Sequence, residues 1–169
     1  MIEMLLKKYP EIKFSVSVTS RPERPGDIAG ESYKFITKEK FEELIKEDHF
    51  IEWATVHGNY YGTPGKVLED WIANGDIILL DIDVQGAATI KKYFPDSISI
   101  FILPPSEEIW MKRLRDRGTD SSEAIEKRIK NGKTELDRSG EFDHRIINDD
   151  LKKAFLDLES VIISPITLD

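Results

Sequence analysis

Two arginines stand three residues apart, each followed by a proline, directly after a run in which serine and valine alternate. Pro22 and Pro25 restrict the backbone around Arg21 and Arg24. The planar fork of a guanidinium group binds phosphate through two parallel hydrogen bonds. The spacing therefore indicates a clamp for a small, doubly charged oxyanion. The alternative is a surface turn with solvated arginines, since such residues are common in loops.

Two carboxylates follow an apolar run over residues 77–80. Asp81 and Asp83 end what the composition predicts to be a buried parallel strand. Ligands bind beyond the carboxyl ends of such strands. One carboxylate is suited to Mg²⁺ through water and the other to accepting hydrogen bonds from a base. The alternative is that both cap the following helix.

A third carboxylate, Glu52, lies inside an otherwise apolar strand over residues 51–56. A buried carboxylate needs specific donors. Guanine presents two adjacent N–H donors that one carboxylate can accept together, whereas adenine does not present that pair. The alternative is an exposed position on an edge strand.

Three tyrosines, Tyr33, Tyr60 and Tyr61, come close to the arginine turn if the surrounding segment folds as a compact lobe. Tyrosines with strand spacing more often pack in a core than bind a ligand, so they carry little weight alone.

A second arginine-rich stretch extends from Lys112 to Arg128 around Gly118. Arginines around a glycine hinge between two helices suit a lid that closes over transferring phosphates. A solvated helix face is the alternative.

The composition limits the class of protein. The chain has 169 residues, 40% of them hydrophobic, which favours a single globular domain. It has no cysteine, so disulfides and thiolate metal sites are excluded. A net charge of -8 argues against nucleic acid as a partner, and no apolar run is long enough to span a membrane. We expect a cytoplasmic protein; the sequence assigns no oligomeric state.

The hydrophobic pattern predicts an α/β fold, with a mostly parallel sheet core, helices on both faces and a mixed insertion. Strands are expected at 13–18, 33–36, 51–56, 77–83, 98–103 and 144–148, helices at 2–9, 37–45, 106–116, 121–138 and 151–160, and a tight turn leading into a helix at 58–64.

One motif of phosphate chemistry is absent from the sequence. No string of the form G-x-x-x-x-G-K-[ST], whose amides cradle donor phosphates, occurs in the 169 residues. Gly132-Lys133-Thr134 supplies only the last three letters, and position 127, where the first glycine would stand, is lysine.

Taken together, these segments resemble guanylate kinase, a nucleoside-monophosphate kinase that uses Mg²⁺ and moves a phosphate from ATP to GMP. The strings that carry the resemblance occur in the family's order: FSVSVTSRPERPG from Phe14, GNYYGT from Gly58, LDIDVQG from Leu80, FILPPS from Phe101, RLRDRGT from Arg113 and INDD from Ile147.

The resemblance implies a role for twelve residues. The GMP phosphate clamp is Ser17, Arg21, Arg24, Tyr33 and Tyr61, and the guanine-reading residues are Glu52, Thr63 and Asp83. Asp81 is similar to the family's strand-end acid near the metal, acting through water, and no residue binds a metal directly. Arg117 and Arg128 resemble lid arginines, and Asn148 lies on the adenine side.

The resemblance also implies a P-loop-kinase-like organisation within one domain: a core of 1–17, 76–112 and 140–169, a GMP-binding subdomain of 18–75 and a lid of 113–139. The family's first strand and glycine-rich loop have no counterpart in the chain as given. We therefore expect little or no kinase activity from it as written. The first reading is a guanylate kinase whose N-terminal strand and loop are missing from the chain as given, through truncation or an incorrect start. The two other readings are a non-catalytic module that binds phosphopeptides and a regulator that binds GMP.

Overall fold

The computed structural model describes residues 1–24, 26–28, 30–31, 33–116 and 122–166. The chain forms two compact units: a first unit of Lys8–Ser97, and a second unit of Met1–Lys7 with Ile98–Asp169. Within the described ranges, no helix is both long and apolar enough to cross a bilayer. The division into core, insertion and lid stays a prediction.

Helices and strands are interspersed along the chain, as the hydrophobic pattern predicts. In order they are α1 (Ile2–Lys8), β1 (Lys13–Ser15), β2 (Val18–Thr19), β3 (Lys34–Phe35), α2 (Lys38–Lys46), β4 (Phe50–Val56), β5 (Asn59–Pro64), α3 (Gly65–Ala73), β6 (Ile78–Leu80), α4 (Val84–Tyr93), β7 (Ile100–Leu103), α5 (Glu107–Asp116), α6 (Ser122–Asp137), a 3₁₀ turn (Arg138–Glu141), β8 (His144–Ile147) and α7 (Leu151–Ile166).

The first unit contains two sheets that share one stretch of chain. β1 pairs in parallel with β6. Three residues after β1 ends, β2 belongs to a four-stranded sheet of order β3-β2-β5-β4, in which only β2 and β3 are parallel. The predicted strand over 13–18 is thus divided between two sheets. The alternation of hydroxyl-bearing and valine residues continues across the division, and Ser15, Ser17 and Thr19 are all buried.

The β4–β5 hairpin corrects the expectation of a tight turn over 58–64. The turn itself is His57–Gly58, where both residues have positive φ (53° and 88°). Two such residues match the right-handed twist of a hairpin. Asn59–Pro64 is strand, and Pro64 occupies the N-cap position of α3. Tyrosine and threonine favour strands, and this preference outweighs the glycines and proline at either end.

An aromatic cluster packs α2 onto the hairpin. The ring of Phe41 stacks on Phe50 and Tyr60, with centroids 4.4 and 5.2 Å apart. A Cβ added at Gly62 would lie 2.9 Å from the Phe50 ring. Glycine at this strand position therefore lets the aromatic rings pack directly on the backbone. At the start of α2, the Thr37 hydroxyl accepts a hydrogen bond from the amide of Lys40 and so caps the helix.

The second unit is built on the parallel pair β7–β8, in which Ile102 lies opposite Ile146. Ile146 packs with Ala154 and Leu158 of α7, and Met1 contacts this core. The closing helix extends to Ile166, beyond the expected end at residue 160.

Candidate functional site

The arginine turn holds Arg21 in a buried position with defined partners. Its side chain is only 7% exposed. Nη1 donates to the carbonyl of Pro22 at 2.8 Å and to Asp27 Oδ2 at 2.9 Å. Burial alone would lower the pKa of Arg21, but Asp27 and Tyr61 raise it, so the guanidinium is charged. A solvated surface arginine does not fit these contacts.

Asp27 is a residue that the sequence analysis missed. Its Oδ2 also accepts a hydrogen bond from the backbone amide of Arg24, at 2.7 Å. The hydrogen bond from Arg21 lowers the pKa of Asp27 below its usual value. An aspartate in a Pro-Gly turn is ordinary, so the sequence alone gives no signal for this pairing.

Aromatic rings surround the guanidinium of Arg21. It lies 5.4 Å from the ring centroids of both Tyr33 and Phe35, which is within the range of a cation–π contact. The rings of Tyr33 and Tyr61 are 5.8 Å apart, edge to face. Burial raises the pKa of the Tyr33 phenol, and the nearby charge of Asp81 raises it further. The Tyr33 phenol therefore remains protonated and able to donate a hydrogen bond.

Tyr60, by contrast, takes a packing role. Its hydroxyl donates to Glu42 on α2, at 3.2 Å. Its backbone carbonyl accepts from Thr19 Oγ1 at 2.8 Å and its amide donates to Ser20 Oγ at 2.9 Å. Ser17 is buried one residue before β2, and its carbonyl accepts from the Lys34 amide.

A buried carboxylate lies on the β4–β5 hairpin. Glu52 is 6% exposed and stands directly across from Thr63, which is fully buried. The Thr63 hydroxyl donates to Glu52 Oε1 at 2.5 Å. Burial raises the pKa of Glu52, the Thr63 hydrogen bond opposes that rise, and the charge of Asp83 adds to it. The expectation of an exposed edge position for Glu52 is excluded.

The carboxylates after β6 have different surroundings. Asp83 caps α4: Oδ1 accepts from the Gly86 amide at 2.8 Å and Oδ2 from Gln85 Nε2 at 3.1 Å. Helix capping, the alternative for this pair, therefore holds for Asp83. Asp81 is partly open to solvent, but the surrounding protein desolvates it enough to raise its pKa.

Gly86 allows the first turn of α4 to lie against the Glu52 carboxylate. A Cβ built on Gly86 would lie 2.6 Å from Glu52 Oε2 and 3.3 Å from Asp83 Oδ1. The two carboxylates therefore approach each other across a position that has no side chain. The first unit thus brings together nine of the predicted site residues: Ser17, Arg21, Arg24, Tyr33, Glu52, Tyr61, Thr63, Asp81 and Asp83.

The remaining predicted residues belong to the second unit. Asn148 follows β8. Its backbone amide donates to the Leu103 carbonyl at 2.7 Å, and its backbone carbonyl accepts from Arg113 Nη1 at 2.8 Å. Arg128 is half-buried on α6. Arg117 and the proposed hinge at Gly118 lie outside the described residues.

The Gly132-Lys133-Thr134 string has a structural explanation. It lies within α6, where Lys133 forms an ion pair with Glu107 of α5. A Cβ at Gly132 would overlap the indole of Trp110. The glycine therefore serves the packing of α6 against α5, and the prediction that this string is not a phosphate loop is consistent with its helical setting.

Comparison with known proteins supports one family. The family model described as guanylate kinase matches residues 1–164. A guanylate kinase of Nostoc is 45% identical over 94% of this chain and 80% of its own length, and one of Shewanella violacea is 48% identical over 97% and 80%. The crystal structure of guanylate kinase from Anaplasma phagocytophilum is 34% identical and superposes with a TM-score of 0.81, covering 97% of this chain and 79% of that one. The expected α/β fold is thereby confirmed, and the chain belongs to the guanylate kinase family.

Proposed function

We propose that this chain binds GMP as the phosphoryl acceptor in the transfer of a phosphate from ATP, with ADP and GDP as products. The observation that carries the proposal is the buried Glu52 carboxylate, held by Thr63 in the same compact unit as the Arg21 turn. The carboxylate suits a base with adjacent donors, and the arginine turn suits a phosphate.

The base would be read by Glu52, Thr63 and Asp83. Glu52 Oε1 is committed to the Thr63 hydroxyl, and the carboxylate retains further lone pairs for the two adjacent N–H groups of guanine. Adenine presents an acceptor where guanine presents one of these donors. It would therefore leave the remaining lone pairs of the buried carboxylate without donors.

The phosphate would be bound by Arg21 and Arg24, with Ser17, Tyr33 and Tyr61 completing the clamp. The phenol hydroxyls can donate to phosphate oxygens, and the two guanidinium groups can share the double charge of the phosphate. Positioning of this kind is most of what a phosphoryl-transfer enzyme contributes to the acceptor.

Mg²⁺ would enter with ATP and would neutralise charge on its phosphates. The described residues contain no group of three or more metal-binding side chains. Mg²⁺ usually keeps several waters and binds one or two carboxylates plus phosphates. Asp81, with its partly open carboxylate, is the residue suited to hold it through water.

In the second unit we assign Arg117 and Arg128 to the transferring phosphates and Asn148 to the adenine side of ATP. These roles rest on the resemblance of the motifs. The second unit supplies no string of the glycine-rich phosphate loop, so we propose that the 169 residues by themselves transfer phosphate poorly.

The test is a calorimetric titration with GMP and AMP. We expect GMP to bind at least about 100-fold more tightly, because a site built for buried donors rejects an analogue that lacks them. Comparable affinities would exclude guanine reading. They would favour the alternative of a phosphopeptide-binding module, for which Glu52 and Thr63 serve no purpose.

A further inference from the structure

One carboxylate oxygen of the first unit contacts both arginines of the phosphate clamp. Asp27 Oδ2 lies 2.9 Å from Arg21 Nη1 and 2.7 Å from the backbone nitrogen of Arg24. The side chain of Asp27 is 17% exposed and that of Arg21 is 7% exposed. The contact is therefore partly shielded from water, which strengthens the attraction between the two charges.

The partners of Nη1 determine which edge of Arg21 faces a ligand. Its two hydrogens are directed to the carbonyl of Pro22 and to Asp27. A guanidinium group is planar, so fixing one nitrogen in this way fixes the directions of the others. The edge formed by Nε and Nη2 carries a pair of parallel donors, the arrangement that binds phosphate bidentately, and Tyr61 also forms a hydrogen bond with the Arg21 side chain.

The aromatic contacts define the plane of the same group. The guanidinium carbon is 5.4 Å from the centroids of the Tyr33 and Phe35 rings. These rings restrict tilting, but a ring face does not select one rotation of the fork within its plane. Asp27 and Pro22 supply that selection.

The second contact of Oδ2 extends the effect to Arg24. The amide of Asp27 also donates to the carbonyl of Arg24, at 3.0 Å. Together these bonds close the turn that carries Arg24, and they set its distance from Arg21. Both arginines of the clamp thus depend on one side chain that has no contact with the base-reading residues in the structure described.

We propose that Asp27 is a positioning residue for the phosphate clamp, which orients the fork of Arg21 and closes the turn that presents Arg24. The inference rests on the proposed function. It assigns to Asp27 no contact with the substrate, since its carboxylate would repel a phosphate. Removing the charge of Asp27 would strengthen GMP binding if the charge only repels the phosphate. It would weaken GMP binding if the charge orients the arginines, so an experiment can decide between the two.

The test compares Asp27→Asn with the wild type by titration with GMP and with guanosine. Asparagine keeps an oxygen that can accept from the Arg24 amide but removes the charge that holds Arg21. We expect roughly tenfold weaker GMP binding, as for loss of one charge-assisted hydrogen bond, with guanosine affinity unchanged. The melting temperature should fall slightly, because the pKa of Asp27 is lowered in the folded protein and its charge therefore favours folding. Glu43→Gln is the matched control, because Glu43 also forms a 2.9 Å ion pair, with Lys40, but on the exposed face of α2.

A double-mutant cycle with Arg21→Lys shows whether Asp27 acts through Arg21. In the Arg21→Lys background, Asp27→Asn should have little further effect on GMP binding. Equal or tighter GMP binding by Asp27→Asn would overturn the inference, and so would an equal loss for guanosine, which would mark a structural role. If the wild type itself does not prefer GMP to guanosine, the proposed function fails as well.

Discussion

Glu52 is a proposed site residue whose charged form opposes folding. Its carboxylate is buried and faces the charge of Asp83, and both effects raise its pKa. The Thr63 hydroxyl compensates only in part. Such a residue is retained for binding rather than for stability, as is common where a functional site needs a strained or poorly solvated group.

We therefore predict that Glu52→Gln stabilises the protein at neutral pH while it removes guanine selectivity. A carboxyl group whose pKa is raised on folding adds stability below its unfolded pKa, and that stability is lost as the pH rises through the folded pKa. Glutamine has nearly the same shape and no charge, so the variant does not lose this stability as the pH rises. A gain of about 1 kcal/mol corresponds to roughly 2–4 °C in melting temperature for a chain of this size.

Thermal unfolding of both proteins at pH 4 and pH 7 checks the prediction. The difference between Glu52→Gln and the wild type should be larger at pH 7. The exposed Glu43→Gln variant should stay close to the wild type at both values, as surface substitutions do. A lower melting temperature for Glu52→Gln at pH 7 would show that the Glu52–Thr63 pair supports the fold.

At the scale of single elements, the first turn of α4 is fitted to the carboxylates beside it. Gly86 donates its amide to Asp83 and leaves space for Glu52 Oε2. Alanine is preferred to glycine inside a helix by about 1 kcal/mol, so the glycine is not explained by helix formation. Its position is explained by the approach of the two side chains.

The expected result of Gly86→Ala is a loss of guanine binding without loss of helix. The new methyl group would displace Glu52 Oε2, which lies 2.6 Å from the Cβ position. The preference for GMP over AMP should fall by about tenfold or more, as when a buried hydrogen bond is lost. Circular dichroism should remain that of the wild type.

Gly140→Ala provides the control for this substitution. Gly140 lies in the 3₁₀ turn, and nothing lies within 4 Å of its Cβ position. If Gly86→Ala keeps the selectivity of the wild type, Glu52 can move without consequence and the close fit is not functional.

The elements differ in how well their sequence predicts them. The apolar run that contains β6 and the capped helix α2 follow from local composition, and both are present. The division of 13–18 between two sheets does not follow, because alternation continues through Val16 and Ser17 while the strand partner changes. That change depends on β6 and β5, which are distant in sequence.

The same distinction applies to the candidate site. Arg21 and Glu52 were recognisable because a charged residue in a stiff turn or an apolar strand needs an explanation. Asp27 was not singled out, because an aspartate in a turn is ordinary, and its value comes only from the arginine that folds onto it. The pairing of Thr63 with Glu52 could not be predicted from the sequence, because it is set by the register of the hairpin.

At the scale of the whole molecule, the 169 residues contain more of the proposed binding residues for the phosphoryl acceptor, GMP, than for the phosphoryl donor, ATP. The acceptor residues are gathered in the first unit, whereas the sequence contains no G-x-x-x-x-G-K-[ST] string. We predict little or no formation of ADP from ATP and GMP by these residues alone. Orientation of reactants accounts for about 7–11 kcal/mol of a barrier, so loss of the donor cradle should be severe.

Addition of a strand and a glycine-rich loop before Met1 should increase the rate by several powers of ten in a coupled assay of ADP formation. Lys133→Ala should leave the rate of either protein unchanged, because Lys133 pairs with Glu107 on the surface of α5 and α6. Rapid turnover by the unextended chain would mean that the donor phosphates bind elsewhere.

The packing of Trp110 on Gly132 also makes the protein its own optical reporter. The chain has three tryptophans, and Trp53 and Trp71 both belong to the first unit. Replacing those two with phenylalanine leaves Trp110 as the sole source of indole fluorescence. Its emission depends on whether the ring rests on α6 or meets water, so a shift to longer wavelength would record any separation of α5 from α6 without an attached dye.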